Sequence, residues 1–413
     1  MSQPDITVYG AYWCPDCRRS KQFLGEHQIA YNWIDIEQEP EAEQYVIETN
    51  GGKRIIPTIV FGDGSHLTEP SNADLAEKLG LKTSIDRKHF PVIVVGGGPA
   101  GLTAALYLAR EGIDTLVIER AAFGGQAAAT EKLDNLPGFP EGVGGLEFGQ
   151  RLRQQAERFG VVLLQAQDVA GTHSHDNYHC IETASGDEYS AEVLLIATGS
   201  RYRRLGVPGE SDYIGAGVHF CATCDGPFYK GKHVAVVGGG NSAAEESLLL
   251  TKFADHVTIL VRGDAFTASQ VIVDKVLETE AIDVQFGVAV QEFLGKDSKL
   301  NRVRVAGADG DTERTLDVDG AFIFIGLDPN AGFLEGSAVQ RNQWGFIVTG
   351  HDLVHGGERP AGFERRDPAH LETSVPGIFA AGDVRAGSTK QVASAAGEGA
   401  AVALEIREYL RRG

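Results

Sequence analysis

The stretch VVGGGPAGLTAA, residues 94–105, decides the fold of most of this 413-residue chain. It follows an apolar run, contains Gly96-x-Gly98-x-x-Gly101, and continues with helical character as far as Tyr107. Glycines at this spacing allow a tight turn and let the backbone approach a pyrophosphate at a helix N-terminus. Glu119 ends the next predicted strand, about twenty residues on, where a carboxylate can accept a ribose hydroxyl. The candidate dinucleotide-binding residues are therefore Gly96, Gly98, Pro99, Ala100, Gly101 and Glu119.

The same pattern returns as VVGGGNSAAEE at residues 236–246, after another apolar run. Its third small residue is alanine, which the pattern allows. The candidate residues of this second nucleotide site are Gly238, Gly240, Asn241, Ser242 and Ala243. Arg262, just past the end of the next predicted strand, could bind a 2′-phosphate. We therefore expect NADPH, with NADH possible, because Arg262 could instead be an ordinary solvated surface residue.

Two separated segments indicate that the first nucleotide site holds FAD. Ala197-Thr198-Gly199 ends one predicted strand, and Gly382-Asp383 follows another at 378–381, before a predicted helix at 391–407. In flavoproteins with two dinucleotide domains, an aspartate in this position bonds the ribityl chain. Because the flavin-type signature returns so late, the second nucleotide domain is predicted to be inserted in the first.

The overall pattern predicts an α/β protein of several domains. Apolar runs at 91–95, 115–118, 193–197, 234–237, 257–261 and 321–325 are typical of buried parallel strands. Upstream, the order of predicted strands (5–9, 31–36, 55–61) and helices (15–27, 40–50, 71–79) is that of a small thioredoxin-like domain.

The expected divisions are a thioredoxin-like domain at 1–80, a linker at 81–89, an FAD domain at 90–204 and 329–413, and a nicotinamide domain at 205–328. The linker spans at most about 30 Å. The polar stretch 351–370 is predicted to be a surface loop, and its sequence indicates no role.

Two Cys-x-x-Cys pairs supply the candidate chemistry. Cys14 and Cys17 lie at the start of a predicted helix, and Cys221 and Cys224 lie just before the second fingerprint. Such pairs cycle between dithiol and disulfide, and one thiol has a lowered pKa. Asp225 could exchange a proton with the second pair. A structural zinc site is the alternative, with His219 as the only further nearby ligand.

In the first pair, Cys14 is expected to attack and Cys17 to resolve. Arg18 and Arg19 could lower the thiol pKa, or could simply be solvated. Pro57 is a candidate cis-proline facing the dithiol.

Composition limits the possible partners and compartment. The formal charge of −20 argues against nucleic acid and against an anionic membrane surface. Five cysteines, four of them in the two pairs, fit a reducing compartment, and Cys180 reads as a plain strand residue. The N-terminus lacks signal-peptide features, so a cytoplasmic location is expected. The uncharged stretch 90–109 is interrupted by glycines and Pro99, which favours a nucleotide-binding turn over a membrane span.

Residues 90–413 resemble the low-molecular-weight thioredoxin reductases. The matching segments are VVGGGPAGLTAA, FGGQ, LPGFPEGV, LLIATGS, CATCDGPFYKGK, VVGGGNSAAEE and VPGIFAAGDVR. The resemblance implies that Cys221 and Cys224 are the redox pair and Asp225 the acid. It also implies that Gly124, Gly125, Gln126, Asn135 and Gln391 lie by the FAD, and that the protein is a homodimer.

Residues 3–80 are similar to glutaredoxins, closest to mycoredoxins, through YWCPDC, NGGKRIIPTIVF and GDGSHLTEPS. The chain departs from both patterns. Val261, Arg262, Gly263 and Thr267 stand where thioredoxin reductases carry basic NADPH anchors. Asp16 replaces a tyrosine that glutaredoxins often have, which leaves binding of glutathione or mycothiol open.

The expected function is a disulfide reductase that passes electrons from NAD(P)H through FAD and Cys221–Cys224 to Cys14–Cys17, within or between subunits. The fused domain would then reduce a disulfide-containing protein or a low-molecular-weight disulfide. Two alternatives remain open: a flavoprotein that feeds a peroxiredoxin, and a flavin-bearing redox sensor with little turnover.

Overall fold

In the computed structural model, the described residues are 6–11, 13–26, 29–81, 85–128, 130, 132–175, 178–296, 299–307 and 313–412. Asp5, Tyr12, His27 and linker residues 82–84, all parts of predicted segments, lie outside them. The chain divides into two compact units. The first comprises Met1–Ala129, Gly144–Gly199 and Pro329–Gly413, and the second comprises Thr130–Val143 and Ser200–Asp328. The second unit thus includes a segment that the sequence alone assigns to the first.

The N-terminal part is a four-stranded mixed sheet with three helices; three of the strands and the helices were predicted, and the short strand β4 was not. Its strand order is β2-β1-β3-β4, with β1 parallel to β2 and antiparallel to β3. Alternate residues of β1 are buried, and Val8 packs with Phe23, Leu24 and Ile59 in the core. The elements are β1 (Ile6–Gly10), α1 (Pro15–Glu26), β2 (Asn32–Asp35), α2 (Pro40–Thr49), β3 (Thr58–Phe61), β4 (His66–Thr68) and α3 (Asn72–Lys78).

The rest of the first unit is built on one large sheet whose order is β7-β6-β5-β10-β9-β8, with β21 also paired to β10. Five of its strands are parallel, and β8 and β9 extend it as an antiparallel hairpin. The elements are β5 (His89–Val95), α4 (Pro99–Arg110), β6 (Thr115–Glu119), α5 (Gly125–Ala128), α6 (Gly145–Arg158), β7 (Val162–Gln165), β8 (Val169–Ser174), β9 (His179–Thr183), β10 (Glu188–Ile196), β21 (Ile378–Ala380) and α10 (Val392–Arg412).

The second unit contains a parallel sheet of order β12-β19-β13-β14-β15 and a separate antiparallel sheet of order β16-β17-β18. Its helices α7 and α8 each follow a strand at the carboxyl edge of the parallel sheet. The elements are β11 (Ser200–Tyr202), β12 (Val218–His219), α7 (Ala222–Asp225), β13 (His233–Val237), α8 (Asn241–Leu250), β14 (His256–Val261), α9 (Gln270–Leu277), β15 (Ile282–Phe286), β16 (Val288–Lys296), β17 (Lys299–Gly307), β18 (Glu313–Asp317), β19 (Gly320–Ile323) and β20 (Leu327–Pro329).

The α/β architecture predicted from the apolar runs is confirmed, with displaced ends. The strand predicted at 193–197 begins at Glu188, and the helix predicted at 391–407 runs to Arg412. Among the parallel strands, β7, β12 and β15 were not predicted. The hairpin β8–β9 and the sheet β16–β18 were not predicted either. Many of their residues are partly exposed, so the strands lack the continuous apolar run of a buried parallel strand.

The stretch 351–370 is more firmly anchored than a simple surface loop. The Phe363 side chain is fully buried. Arg366 makes two hydrogen bonds, of 2.5 and 2.6 Å, to the carboxylate of Glu372, which is itself buried. A bidentate pair of this kind holds both groups in one geometry. The segment is therefore tied to the unit that contains α10, although its sequence is polar.

Candidate redox and nucleotide sites

The first cysteine pair lies at the N-terminus of α1. Cys14 Sγ accepts a hydrogen bond from the Cys17 backbone N–H at 3.0 Å, and its thiol lies 3.8 Å from the Ile56 carbonyl oxygen. The Ile56–Pro57 peptide bond is cis, as predicted. A Cβ atom on Gly10 would lie 2.6 Å from Cys17 Sγ, so only glycine fits beneath the dithiol. Cys14 is 4% exposed and Cys17 is fully buried.

The second thiol of this pair is held in its protonated form. Burial, followed by the hydrogen bond that the Cys17 thiol donates to Cys14, raises the pKa of Cys17 to about 12. Cys17 therefore stays protonated at neutral pH, which leaves Cys14 as the available nucleophile. Arg18 donates to the Trp13 carbonyl, while Arg19 pairs with Asp16 and donates to the Pro70 carbonyl. Both arginines are thus engaged with groups other than the thiols.

The second pair, Cys221–Cys224, forms a disulfide whose Cα atoms are 5.3 Å apart. Cys221 is the residue before the short helix α7, and its Sγ lies 3.2 Å from the Cys224 backbone nitrogen. Both pairs thus place their first sulfur at a helix N-terminus, where backbone N–H groups stabilise a thiolate.

Asp225, the predicted acid, faces a buried histidine. His219 Nδ1 lies 3.3 Å from Asp225 Oδ2, and His219 Nε2 lies 2.6 Å from the Tyr229 hydroxyl. Burial, and then Asp225, raise the pKa of Tyr229, so this phenol stays neutral. A neutral phenol can donate to Nε2, which leaves the proton of the imidazole on Nδ1, facing Asp225. From the sequence, His219 was considered only as a metal ligand, and its contact with Asp225 was not predicted. Its position two residues before Cys221 was the one feature of the sequence that placed it near the second pair.

The glycines of the first fingerprint have distinct roles. Gly96 has φ +109°, and a Cβ there would lie 2.4 Å from the Ala197 carbonyl oxygen. A Cβ on Gly101 would lie 2.0 Å from the Gly96 oxygen. At Gly98 the nearest atom would be Gly125 Cα at 3.9 Å, so the chain itself leaves room for a side chain. The close approach of a pyrophosphate explains glycine at that position, and the loop therefore fits a dinucleotide.

Glu119 supports the same loop. Its Oε2 accepts the Gly97 N–H at 2.6 Å, and its Oε1 accepts the Ala121 N–H at 2.9 Å. Burial raises the pKa of this carboxyl, and the backbone hydrogen bonds oppose that rise. A carboxylate has lone pairs beyond these two bonds. Glu119 can thus hold the loop and still accept a ribose hydroxyl.

The flavin-type segments lie beside this fingerprint. A Cβ on Gly382 would lie 3.0 Å from Ala100 Cβ, and one on Gly125 would lie 3.1 Å from Gly98 Cα. The Thr198 hydroxyl is buried without a hydrogen-bond partner among the described atoms. A buried hydroxyl usually has a hydrogen-bond partner, so a polar group of a bound cofactor would complete this site beside the glycine turns. Gly124 and Gly199 also adopt positive φ in these turns.

Asp383 has a neighbour that the sequence did not indicate. Lys390 Nζ donates to the Asp383 carbonyl oxygen at 2.9 Å. Burial raises the pKa of the Asp383 carboxyl, whereas Lys390 lowers it. The predicted FAD neighbours Gln126 and Gln391 belong to the first unit, and Asn135 belongs to the second.

The second fingerprint repeats the glycine roles of the first. Gly238 has φ +146°, and a Cβ there would lie 2.4 Å from the Phe324 carbonyl oxygen. A Cβ on Gly240 would meet nothing nearer than the Thr267 hydroxyl oxygen, at 3.8 Å. Ala243 is buried, and Ser242 is exposed in the first turn of α8. This loop also leaves its open side to a pyrophosphate.

The segment after β14 packs on this loop. The Thr267 N–H donates to the Gly239 carbonyl at 2.8 Å, and Asn241 Oδ1 accepts the Ser269 N–H at 2.7 Å. Arg262 is exposed, and no ion pair joins it to another side chain in the described part of the chain. Its guanidinium is thus available to an anion.

Comparisons with known proteins identify the class. Residues 90–399 match the pyridine nucleotide-disulphide oxidoreductase family, and residues 6–67 match the glutaredoxin family. The chain is 37% identical over 321 residues to a thioredoxin reductase of Treponema pallidum, covering 78% of this chain and 97% of that one. It is 36% identical to a thioredoxin reductase of Bacillus subtilis, over 79% of this chain and 96% of that one. The crystal structure of thioredoxin reductase from Streptococcus pyogenes superposes with a TM-score of 0.71 at 33% identity, covering 79% of this chain and all of that one.

The chain therefore belongs to the pyridine nucleotide-disulphide oxidoreductases, enzymes that use a nicotinamide dinucleotide and FAD to reduce disulfides. Within that class it is a thioredoxin reductase-like enzyme with a fused N-terminal glutaredoxin domain. These matches do not favour the two alternatives, a component that feeds a peroxiredoxin and a low-turnover sensor. Among the described residues, no helix has the length and apolar character needed to cross a bilayer.

Proposed function

We propose that this enzyme is a self-contained electron relay. Electrons from NADPH reach Cys221–Cys224 by way of FAD, pass to Cys14–Cys17, and leave to an external disulfide. The observation that carries the proposal is the presence of two dithiols in one chain, each with its first sulfur at a helix N-terminus. When bound, FAD supplies the two-electron chemistry that links a hydride donor to a disulfide.

The transfer between the pairs is a thiol–disulfide exchange. A thiolate of reduced Cys221–Cys224 attacks a sulfur of oxidised Cys14–Cys17 and forms a mixed disulfide. The second cysteine of the Cys221–Cys224 pair then attacks its partner's sulfur, which reforms the Cys221–Cys224 disulfide and releases the first pair as a dithiol. Cys221–Cys224 is reoxidised and loses two protons, and Cys14–Cys17 gains two electrons and two protons. Asp225 is placed to move a proton at the second pair, and His219 positions its carboxylate.

The order of reduction tests the relay directly. The fully oxidised, FAD-loaded chain is mixed with NADPH and quenched at intervals with an alkylating reagent, and labelled cysteines are located by mass spectrometry. Labels should appear on Cys221 and Cys224 before Cys14 and Cys17, because electrons must pass through the second pair first. Earlier labelling of Cys14 and Cys17 would contradict the relay.

Within this proposal, NADPH is the preferred donor because Arg262 is exposed beyond β14, and no carboxylate among the described residues pairs with it. We expect Arg262→Ala to slow flavin reduction by NADPH about tenfold, since a charge-assisted hydrogen bond to the 2′-phosphate is lost. Reduction by NADH, which has no such phosphate, should change little. Stopped-flow absorbance with both donors measures this.

Lys230→Ala serves as the matched control, because it removes an exposed cation of the same unit. It should leave the ratio of the two rates unchanged. A native chain that already prefers NADH would overturn the NADPH assignment.

The histidine behind Asp225 gives a further prediction. His219→Ala should slow reduction of Cys221–Cys224 about tenfold while leaving flavin reduction by NADPH intact, because the Asp225 carboxylate loses its positioning contact. His219→Gln should restore much of the rate, since an amide can still donate.

Rapid mixing with NADPH measures both the flavin and the disulfide rates. A native rate of disulfide reduction in His219→Ala, or no recovery of the lost rate in His219→Gln, would contradict the positioning role. The buried Tyr229 hydroxyl loses its partner in His219→Ala, so that variant should also be less stable, by about 1–3 kcal/mol.

We further propose the domain limits, the compartment and assembly, the acceptor and the FAD contacts of this enzyme. The domain limits are 1–80, 81–89, 90–204 with 329–413, and 205–328, and the enzyme is a cytoplasmic homodimer, supported by its free thiols and its likeness to thioredoxin reductases. The final acceptor is a protein disulfide or a mixed disulfide with a small thiol. The residues proposed to contact FAD are Gly96, Gly98, Pro99, Ala100, Gly101, Glu119, Gly124, Gly125, Gln126, Asn135, Ala197, Thr198, Gly199, Gly382, Asp383 and Gln391.

A further inference from the structure

The hairpin β8–β9 carries three metal-ligating residues on one face. In the strand register His173 lies directly opposite Cys180, and directly opposed residues share a face. His175 follows His173 by two positions, and its N–H donates to the Tyr178 carbonyl at 2.8 Å, which continues the pairing. His175 therefore projects on the same side as the other two.

The donor atoms of these residues are close together. One ligand atom from each of His173, His175 and Cys180 lies within 4.8 Å of the other two. The imidazole rings are 5.2 Å apart between centroids. Both histidines are exposed, and the His175 ring also contacts the Tyr178 ring, at 4.8 Å between centroids, whereas Cys180 is a buried free thiol. A thiol with two imidazoles is a donor set that zinc prefers.

The surroundings also favour a cation. Glu188, on the neighbouring strand β10, places Oε2 3.8 Å from His173 Nε2. This carboxylate would attract a cation bound between the two histidines and Cys180. His179, the neighbour of Cys180, instead shares a hydrogen bond of 2.8 Å with the Ser174 hydroxyl.

We propose that this hairpin binds one thiophilic divalent cation, zinc, through Cys180 Sγ and one ring nitrogen each of His173 and His175. Glu188, whose Oε2 lies 3.8 Å from His173 Nε2, can offer a fourth donor. Binding replaces the thiol proton, which is released to solvent, by a sulfur–metal bond, and no electrons are exchanged. Tetrahedral bonds of about 2.0–2.3 Å bring the donor atoms closer than they stand now. Rotation of the two exposed histidines can supply that closure.

The site is separate from the electron relay and has a different role. It would cross-link β8 and β9 close to the residues that connect the two strands. It would also withdraw a fifth cysteine from thiol exchange in an enzyme that moves electrons through the other four.

Cobalt(II) titration of the oxidised, FAD-loaded full chain tests the proposal, because in that state the four relay cysteines are disulfide-bonded and cannot bind metal. After chelator treatment, Co²⁺ should bind once per chain. It should give thiolate-to-metal charge transfer and a tetrahedral d–d band at wavelengths beyond the flavin absorption. Zn²⁺ should displace it. A native chain without this spectrum would overturn the proposal.

Variants identify the ligands. Cys180→Ser should lose the charge-transfer band, and His173→Gln, a change at an exposed position that folding should tolerate, should weaken Co²⁺ binding at least about tenfold. The matched control is His351→Gln with His355→Gln, an exposed pair elsewhere whose rings are 5.8 Å apart, which should leave binding unchanged. Unaltered affinity in His173→Gln, or an equal loss in the control, would overturn the assignment.

Discussion

Cys224→Ser should stop the reduction of every disulfide acceptor, with turnover falling at least about a thousandfold. Serine cannot form the Cys221–Cys224 disulfide or take part in thiol exchange at neutral pH. Flavin reduction by NADPH should stay near the native rate, because hydride transfer precedes the thiol steps. Stopped-flow absorbance follows the flavin, and steady-state NADPH consumption follows the acceptor.

Thr223→Ser is the matched control, because it changes the same short helix and keeps both sulfurs. It should retain most of the turnover. If Cys224→Ser also lost flavin reduction, the order of steps would be wrong; if it kept full turnover, the acceptor would be reduced without this disulfide.

Cys14→Ser should lower delivery to the external acceptor at least about a hundredfold while Cys221–Cys224 is still reduced. The reason is the difference between the two thiols of the first pair. Cys17 is fully buried, and its pKa is raised to about 12, so it cannot replace Cys14 as the nucleophile. In an anaerobic NADPH titration, this variant should take up one electron pair fewer than the native chain.

Asp16→Asn is the control for this experiment. It breaks the exposed pair with Arg19, which is worth about 0–1 kcal/mol, and keeps both thiols. Cys17→Ser then separates the acceptor classes, since a mixed disulfide with a small thiol needs Cys14 alone, whereas a protein disulfide needs both. If Cys14→Ser reduced the acceptor at the native rate, the relay would end at Cys221–Cys224.

Much of the fold could be predicted because its signals are local. Each fingerprint contains its strand, glycine turn and helix start within about a dozen residues, and the three glycine roles depend on short-range backbone geometry. Apolar runs predicted most of the buried parallel strands, but not β7, β12 and β15, which are short or partly exposed. The hairpin β8–β9 and the sheet β16–β18 could not be found in this way, because partly exposed antiparallel strands alternate polar and apolar residues and occur in short segments.

The sequence by itself determined the chemistry of this protein: two dithiols, two nucleotide fingerprints and their order along the chain. Only the tertiary structure decided which groups surround them. The contacts of His219 with Asp225 and Tyr229, of Lys390 with Asp383, and of His173 with Cys180 depend on how turns and strands bring side chains together. A motif can be recognised in a sequence because its residues are close together along the chain. The contacts of a side chain depend on packing and on strand register. Neither can be deduced from the pattern of residue types alone.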